Sequence, residues 1–363
     1  MSLRWRIWFF KKSSFQSLAC RKSFIRNFFN FVQLIVIMIT KKILLISCFM
    51  LIASGLNLGA QPQGQGGRPP VRKHTIIESG ELKVIPANQK LSIKNKSEIK
   101  KSKNEIKVKA NGIPEHKVGR FPNRSNPNSI AEQNHNFSIS INQKPSPQPI
   151  PLHNETGRGP PNTPFGVAVN GVLFDPGTAE FYMGDRQADW NYEALGGSVL
   201  LGLDSNHGHV QPNGSYHYHG LPTGLLQKLE WNESEHSPLV GYAMDGFPVY
   251  AVYGYKDPKD TNSGIQKVIS SFQLKKGKRA NPPGGKYDGT FSKDYCYVEG
   301  SGDLDECNGR FTITKEFPKG TYAYFLTENW PVIPRYFKAE PLKLRGGSPH
   351  HRRGGSPPSR RVP

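Results

Sequence analysis

The sequence predicts a mainly β protein, an antiparallel sandwich- or barrel-like single domain with long loops and disordered termini. Three observations support this prediction. Short segments of alternating apolar and polar residues recur between residues 105 and 340, turn residues separate them, and few segments have helical character. Many short strands at regular spacing are typical of antiparallel sandwiches and barrels.

The individual strands follow from the alternation. They are predicted at residues 106–110, 137–141, 165–174, 240–255, 310–314 and 321–327. Two of these segments are strand pairs, because Asn170-Gly171 and Asp245-Gly246 are strong turn dipeptides. One short helix is predicted over residues 221–228, with Pro222 in its first turn.

The basic charge lies in the flanking segments and not in the predicted domain. The 363 residues carry a net charge of +20, yet residues 105–340 contain 23 Lys and Arg against 25 Asp and Glu. A nucleic-acid-binding domain would itself be basic, so no nucleic-acid partner is predicted.

The two basic segments beside the domain are predicted to be disordered. Residues 61–104 are interpreted as a linker rich in Gln, Gly, Pro and then Lys. An edge strand is the alternative there, because Ile99/Lys100 and Ile93/Lys94 alternate. Residues 341–363 form a tail of Gly, Ser, Pro and Arg.

Residues 38–60 have the layout of a secretory signal peptide. Two lysines precede an apolar run over 43–56, which is short for a membrane span of about 20 residues. The sequence therefore predicts a secreted protein, extracellular or periplasmic, with no membrane contact after cleavage. Residues 1–37 are an N-terminal extension of uncertain status, because translation can begin at Met1 or Met38.

The densest chemistry lies between residues 206 and 220. Two His-x-His pairs, His207/His209 and His217/His219, flank residues 212–214, which read Pro-Asn-Gly. Residues i and i+2 of a strand share a face, and Pro-Asn-Gly favours a three-residue hairpin loop. This register places all four imidazoles on one face and the side chains of Tyr216 and Tyr218 on the other.

Four converging imidazoles suit a borderline transition metal, so copper, zinc or iron is predicted, copper most plausibly on ligand type. The alternative is that the histidines are ordinary strand residues, and a register slip of one residue would separate the two pairs. Further candidate ligands brought in by folding are His116, His236 and Asp245, the last also fitting an Asp-Gly turn.

Residues 216–219, Tyr-His-Tyr-His, are the signature of the YHYH domain family of secreted proteins, and the chain resembles that family well beyond them. Matching blocks lie at residues 111–116, 164–172, 245–250 and 302–310. The resemblance covers about two thirds of the chain, so residues 105–340 are interpreted as the YHYH domain. It implies a domain and a compartment, and no reaction.

Two smaller features remain. Cys296 and Cys307 are predicted to form a disulfide, because cysteines of an exported protein usually pair. Asp303 and Asp305 lie in one Gly-containing loop and are a candidate calcium site, although a solvated acidic turn is favoured because EF-hand spacing is absent.

Two functions are consistent with these features. The first is a metalloenzyme, with oxidative chemistry at an open coordination position. The second is a non-catalytic extracellular binding or structural module without a metal, whose extracellular ligand or polymer is unknown. A concave pocket beside an open metal position distinguishes the enzyme.

Overall fold

A computed structural model describes residues 74–77, 80–152, 164–185 and 189–344, all within one compact unit that spans Val71–Pro363. The predicted N-terminal extension, the signal peptide and residues 345–363 of the tail lie outside the described residues. No helix in the described part of the chain is long and apolar enough to cross a membrane.

The described residues form short strands and very little helix. In chain order the strands are β1 (Thr75–Ile76), β2 (Ser97–Lys101), β3 (Glu105–Ala110), β4 (His135–Ser140), β5 (Ile150–Pro151), β6 (Gly166–Ala168), β7 (Leu173–Phe174), β8 (Val199–Leu200), β9 (Gly208–Val210), β10 (Tyr216–Tyr218), β11 (Gly241–Ala243), β12 (Pro248–Ala251), β13 (Tyr253–Tyr255), β14 (Ile265–Lys267), β15 (Phe272–Leu274), β16 (Tyr295–Tyr297), β17 (Gly309–Thr312), β18 (Thr321–Leu326) and β19 (Tyr336–Phe337). The helical elements are α1 (Thr223–Lys228) and two 3-10 turns at Tyr182–Gly184 and Ser292–Asp294.

Eight strands form a central sheet in the order β17-β18-β12-β11-β6-β7-β10-β9. Neighbours are antiparallel except for the pairs β12–β18 and β7–β10, which are parallel. β9 lies at one end of the sheet and β17 at the other, so the described sheet is open. The predicted mainly β class is confirmed, and the sheet is mixed and not a closed barrel.

A three-stranded antiparallel sheet, β2-β3-β4, shares the main hydrophobic core with the central sheet. Alternation on β3 buries Ile106 and Val108 and exposes Lys107 and Lys109. These side chains belong to the same buried cluster as Phe174 and Val249 of the central sheet. Burying an aliphatic side chain of this size contributes about 1.5–3 kcal/mol, which makes this core the main support of the two sheets.

The turn between β6 and β7 shows why its glycine is needed. Gly171 has a φ of +80°, the left-handed conformation expected of an Asn-Gly turn. A Cβ at this position would lie 2.4 Å from Cβ of Ala110 on β3. The tight turn therefore also permits the close approach of the two sheets.

The predicted disordered linker, residues 61–104, requires a correction in its described part. β2 pairs along its whole length with β3, with Ile99 opposite Val108. The structure follows the alternative prediction, an edge strand indicated by the alternation at Ile99/Lys100. β1 in the same segment pairs with β8.

Candidate metal centre

The histidine hairpin is formed by β9 and β10 in the predicted register. His209 lies opposite His217, with Val210 opposite Tyr216 on the other face. The three-residue loop closes with a 2.9 Å hydrogen bond from the Gln211 amide to the Ser215 carbonyl. Gly214 adopts the left-handed conformation, with a φ of +86°.

Three of the four predicted histidines converge. Nε2 of His219 lies 3.0 Å from Nε2 of His217 and 3.1 Å from Nε2 of His209. The three ring centroids are each 4.7 Å apart. All three side chains are buried, and among the described residues this is the one group of three or more His, Cys, Asp or Glu whose ligand atoms could share a metal ion.

His207 does not join this group, which corrects the predicted set of four. Its carbonyl continues the ladder by accepting a 2.8 Å hydrogen bond from the His219 amide. However, its φ of +54° is left-handed, so its side chain no longer follows the alternation of the strand. Its Nδ1 instead lies 2.8 Å from the Leu221 carbonyl.

Backbone carbonyls fix the orientation of two of the three rings. Nδ1 of His209 lies 2.9 Å from the Leu201 carbonyl, and Nδ1 of His217 lies 3.3 Å from the Ser215 carbonyl. A carbonyl accepts hydrogen bonds only, so these contacts assign the proton to Nδ1 and the lone pair to Nε2. Nδ1 of His219 is buried and has no hydrogen-bond partner among the described residues.

A family model of the YHYH protein matches residues 146–339, more than half of the chain. The chain belongs to the YHYH protein family. The match includes the whole histidine hairpin and the strands that support it. No curated protein and no solved structure matches the chain significantly.

Burial controls the protonation of His217 and His219 in the YHYH motif and of His209 on β9. Burial lowers the pKa of His209 and His219 well below the usual value for histidine, and neighbouring imidazoles lower it further. Burial also lowers the pKa of His217, against the opposing charge of Asp175. All three rings are therefore neutral near pH 7, which is the metal-binding form of histidine.

The tyrosines of the YHYH motif point to the opposite face and are held there. The Tyr216 hydroxyl donates to both carboxylate oxygens of Asp204, at 3.0 and 2.9 Å. The Tyr218 hydroxyl lies 2.6 Å from Nε2 of His116 and accepts from the Asn170 amide at 2.9 Å. These contacts give the tyrosines a structural role on the side away from the three histidines.

The three further candidate ligands are not brought to the centre. His116 contacts Tyr218 on the tyrosine face. The ring of His236 packs against Tyr250, with centroids 5.0 Å apart. Asp245 accepts a hydrogen bond from the Tyr324 hydroxyl, and burial raises its pKa to about 6.

The cysteines and the acidic loop also differ from expectation. Cys296 and Cys307 are free thiols, so the predicted disulfide is not formed. Sγ of Cys296 faces the Gln273 carbonyl of the neighbouring strand, whereas Sγ of Cys307 is buried against the Phe337 carbonyl.

The loop predicted as a calcium candidate uses its carboxylates to hold the protein itself. Asp303 accepts hydrogen bonds from the Ile269 amide and the Gln266 side chain. Asp305 accepts from the Tyr322 hydroxyl at 2.8 Å and forms an ion pair with Lys338. These contacts give the two carboxylates a structural role, because they join the loop to neighbouring segments of the chain.

Sequence reasoning missed two carboxylates and one histidine near the centre. Asp175 follows β7, the parallel neighbour of β10, and accepts a 3.1 Å hydrogen bond from Gln211. Burial raises the pKa of Asp175, against the opposing charge of His217. His74 stacks on His209 and contacts Glu180. The only sequence signal was residue type, because distant segments bring these residues together.

Proposed function

We propose that this chain is an exported metalloprotein in which His209, His217 and His219 bind one divalent transition-metal ion. Copper is the first candidate, ahead of zinc and iron. Imidazole suits all three metals, and the affinity of nitrogen ligands for divalent ions peaks at Cu(II).

The observation that supports this proposal is the meeting of three Nε2 atoms. The Nδ1 contacts of His209 and His217 leave a lone pair on each Nε2. A neutral His219 has one ring proton, which can satisfy at most one of its two close neighbours. A cation accepts all three lone pairs at once, whereas ordinary strand histidines would have no reason to face one another in a buried site.

The spacing of the nitrogens fits a metal ion with open coordination positions. With metal–nitrogen bonds of about 2.0–2.1 Å, the observed Nε2 separations subtend roughly 95° at the ion. The pairs His217/His219 and His209/His219 therefore fit adjacent coordination positions, and three protein ligands do not fill the coordination sphere of the ion. The remaining positions are then available to water or to another small ligand, as in catalytic metal sites.

Export is the second part of the proposal. It is supported by the signal-peptide layout of residues 38–60, and it predicts a mature chain that begins close to residue 61. The intact mass of protein recovered from the exported fraction of an expression host tests this part. A full-length chain retained in the cytoplasm would contradict it.

Metal content is the decisive experiment for the site. The full chain is produced without a His-tag through its own export route, and bound metals are quantified by ICP-MS. We expect one equivalent in the wild type and none in the double variant His217→Ala/His219→Ala. The control is His135→Ala, which removes a half-buried histidine of β4 outside the group.

The possible results separate the proposal from its alternative. Circular dichroism is used to confirm that the double variant retains its fold. If its metal content equals that of the wild type, the hairpin is not the site. If the folded wild type is metal-free and takes up none of added Cu(II), Zn(II) or Fe(II), the non-catalytic module is favoured.

A further inference from the structure

Outside the three-histidine group, His74 and Glu180 form a pair beside the centre. Nδ1 of His74 lies 2.8 Å from Oε1 of Glu180, and the backbone amide of His74 donates to the same oxygen at 3.5 Å. The His74 ring stacks on His209, with centroids 5.6 Å apart and planes inclined by 30°. A fourth imidazole, oriented by a carboxylate, therefore borders the proposed metal site.

Both members of this pair are fixed by the fold. His74 immediately precedes β1, which pairs with β8. Leu201 immediately follows β8, and its backbone carbonyl contacts the His209 ring. Glu180 is buried, and its backbone carbonyl accepts from the Asn191 side chain at 2.8 Å. His74 and His209 are thus held by neighbouring parts of one short strand pair.

The position of His74 is that of an outer partner and not of a fourth ligand. Its ring nitrogens fall outside the set that could share one ion. Its side chain is 22% exposed, whereas the three grouped histidines are at most 6% exposed. His74 is therefore more exposed to solvent than the three grouped histidines, and its ring borders the centre at His209.

Among the described residues, only one of the two ring nitrogens of His74 has a hydrogen-bond partner. Nδ1 is engaged by Glu180, and Nε2 makes no hydrogen bond within the described residues. A carboxylate on one imidazole nitrogen fixes the ring and leaves the other nitrogen for a second partner, donating or accepting according to protonation.

Given the proposed metal site on which this inference rests, we propose that Glu180 positions His74. Nε2 of His74 then supplies a hydrogen bond to a small ligand in the open coordination position of the metal ion. The ligand class is a water molecule or a small anion. His74 would then select what binds to the ion, while the three buried histidines determine that the ion binds at all. His74 lies outside the segment that matches the family model.

Azide binding to the copper-loaded full chain tests this proposal. Azide bound to Cu(II) produces a charge-transfer band that can be titrated. The variants are His74→Phe, which keeps a ring on His209 but removes both nitrogens, and Glu180→Gln, which keeps an acceptor but removes the charge. The control is His135→Phe, a histidine on β4 outside the group.

We expect all four proteins to bind one equivalent of copper. The dissociation constant of azide should rise about tenfold in His74→Phe, the size of one hydrogen bond to a charged group, and less in Glu180→Gln. It should stay at the wild-type value in His135→Phe. The copper stoichiometry in His74→Phe shows that the site itself is intact.

Three results would overturn the proposal. Unchanged azide affinity in His74→Phe shows that Nε2 contacts no ligand. Partial loss of copper from His74→Phe, with an altered nitrogen hyperfine pattern in the EPR spectrum of the copper that remains bound, makes His74 an inner ligand instead. Absence of copper from the wild type rejects the metal site and this inference together, and the metal analysis alone distinguishes that case.

Discussion

The two faces of the histidine hairpin differ in what their polar groups meet. On the tyrosine face each hydroxyl has partners elsewhere in the fold, Asp204 for Tyr216 and both His116 and Asn170 for Tyr218. On the histidine face the three Nε2 atoms meet one another. One alternating motif thus provides a structural face whose hydroxyls have partners and a face whose three Nε2 atoms could share a metal ion.

The largest effect is expected where the two faces depend on one backbone position. A Cβ on Gly208 would lie 2.4 Å from the Tyr216 ring and hydroxyl. Gly208→Ala should therefore displace the phenol from Asp204 and distort β9, with a loss of about 3 kcal/mol in the free energy of unfolding. Chemical denaturation measures the loss, and ICP-MS should show reduced metal retention. Unchanged copper content would mean that the faces respond independently.

A second prediction concerns the pH dependence of the metal-free protein. The buried histidines have lowered pKa values in the folded state, so below about pH 6.5 the unfolded chain binds more protons. Stability should therefore fall as the pH decreases from 7.5 to 5.5, by at most about 1.4 kcal/mol per histidine per pH unit.

The matched comparison is the double variant His217→Ala/His219→Ala. Asp245, whose raised pKa gives the opposite slope, is present in both proteins. The difference between the two stability curves thus isolates the contribution of the two histidines, which we expect on the order of 2 kcal/mol. Parallel curves would mean that these rings already protonate freely in the fold.

Tyr216→Phe should separate the contribution of the tyrosine face to stability from that of the histidine face to metal binding. It removes a hydroxyl that donates to the buried carboxylate of Asp204, which keeps its hydrogen bonds from the Gly119 and Asn206 amides. We expect a loss of about 1–2 kcal/mol in the free energy of unfolding, with unchanged metal stoichiometry. Metal loss in a folded Tyr216→Phe protein would show that the tyrosine face positions the ligands.

The smallest effect is expected at His207, the predicted ligand that lies outside the three-histidine group. His207→Asn suits the left-handed backbone, because asparagine adopts that conformation readily. Copper stoichiometry should be unchanged and stability should differ by about 0.5 kcal/mol or less. The matched variant His209→Asn should lose the metal. If both variants lose it, His207 belongs to the site.

The part of the centre that sequence could predict is the part governed by local rules. The Pro-Asn-Gly loop and the alternation of residues determine the register of β9 and β10, which was predicted correctly. The error at His207 has a local cause as well, since a left-handed residue interrupts the alternation without a glycine to signal it.

The surroundings of the centre could not be predicted in the same way. Asp175 lies near enough to His217 for their charges to interact because β7 and β10 pair in parallel across a long crossover. His74 lies in a segment whose composition indicated a linker, and its place depends on the pairing of β1 with β8. A single sequence contains no local signal that predicts which distant strands pair.

The mainly β class was predicted from many short alternating segments, and the same evidence could not give strand directions. An alternating pattern looks alike in parallel and antiparallel pairs, so the parallel pair β12–β18 was missed. The free thiols of Cys296 and Cys307 show a similar limit, because compartment suggests pairing but only the fold places two sulfurs within bonding distance.

Residues 209–219 contain all three grouped histidines, and this has a consequence for the order of folding. As the proposed ligands, they close only a short loop, so the entropy lost on bringing them together is small. An ion can therefore bind the newly formed hairpin before the long-range pairs of the central sheet exist. The metal would then act as a folding nucleus at the edge of the sheet. Its availability during folding would affect the yield of native protein as well as the metal content of the folded protein.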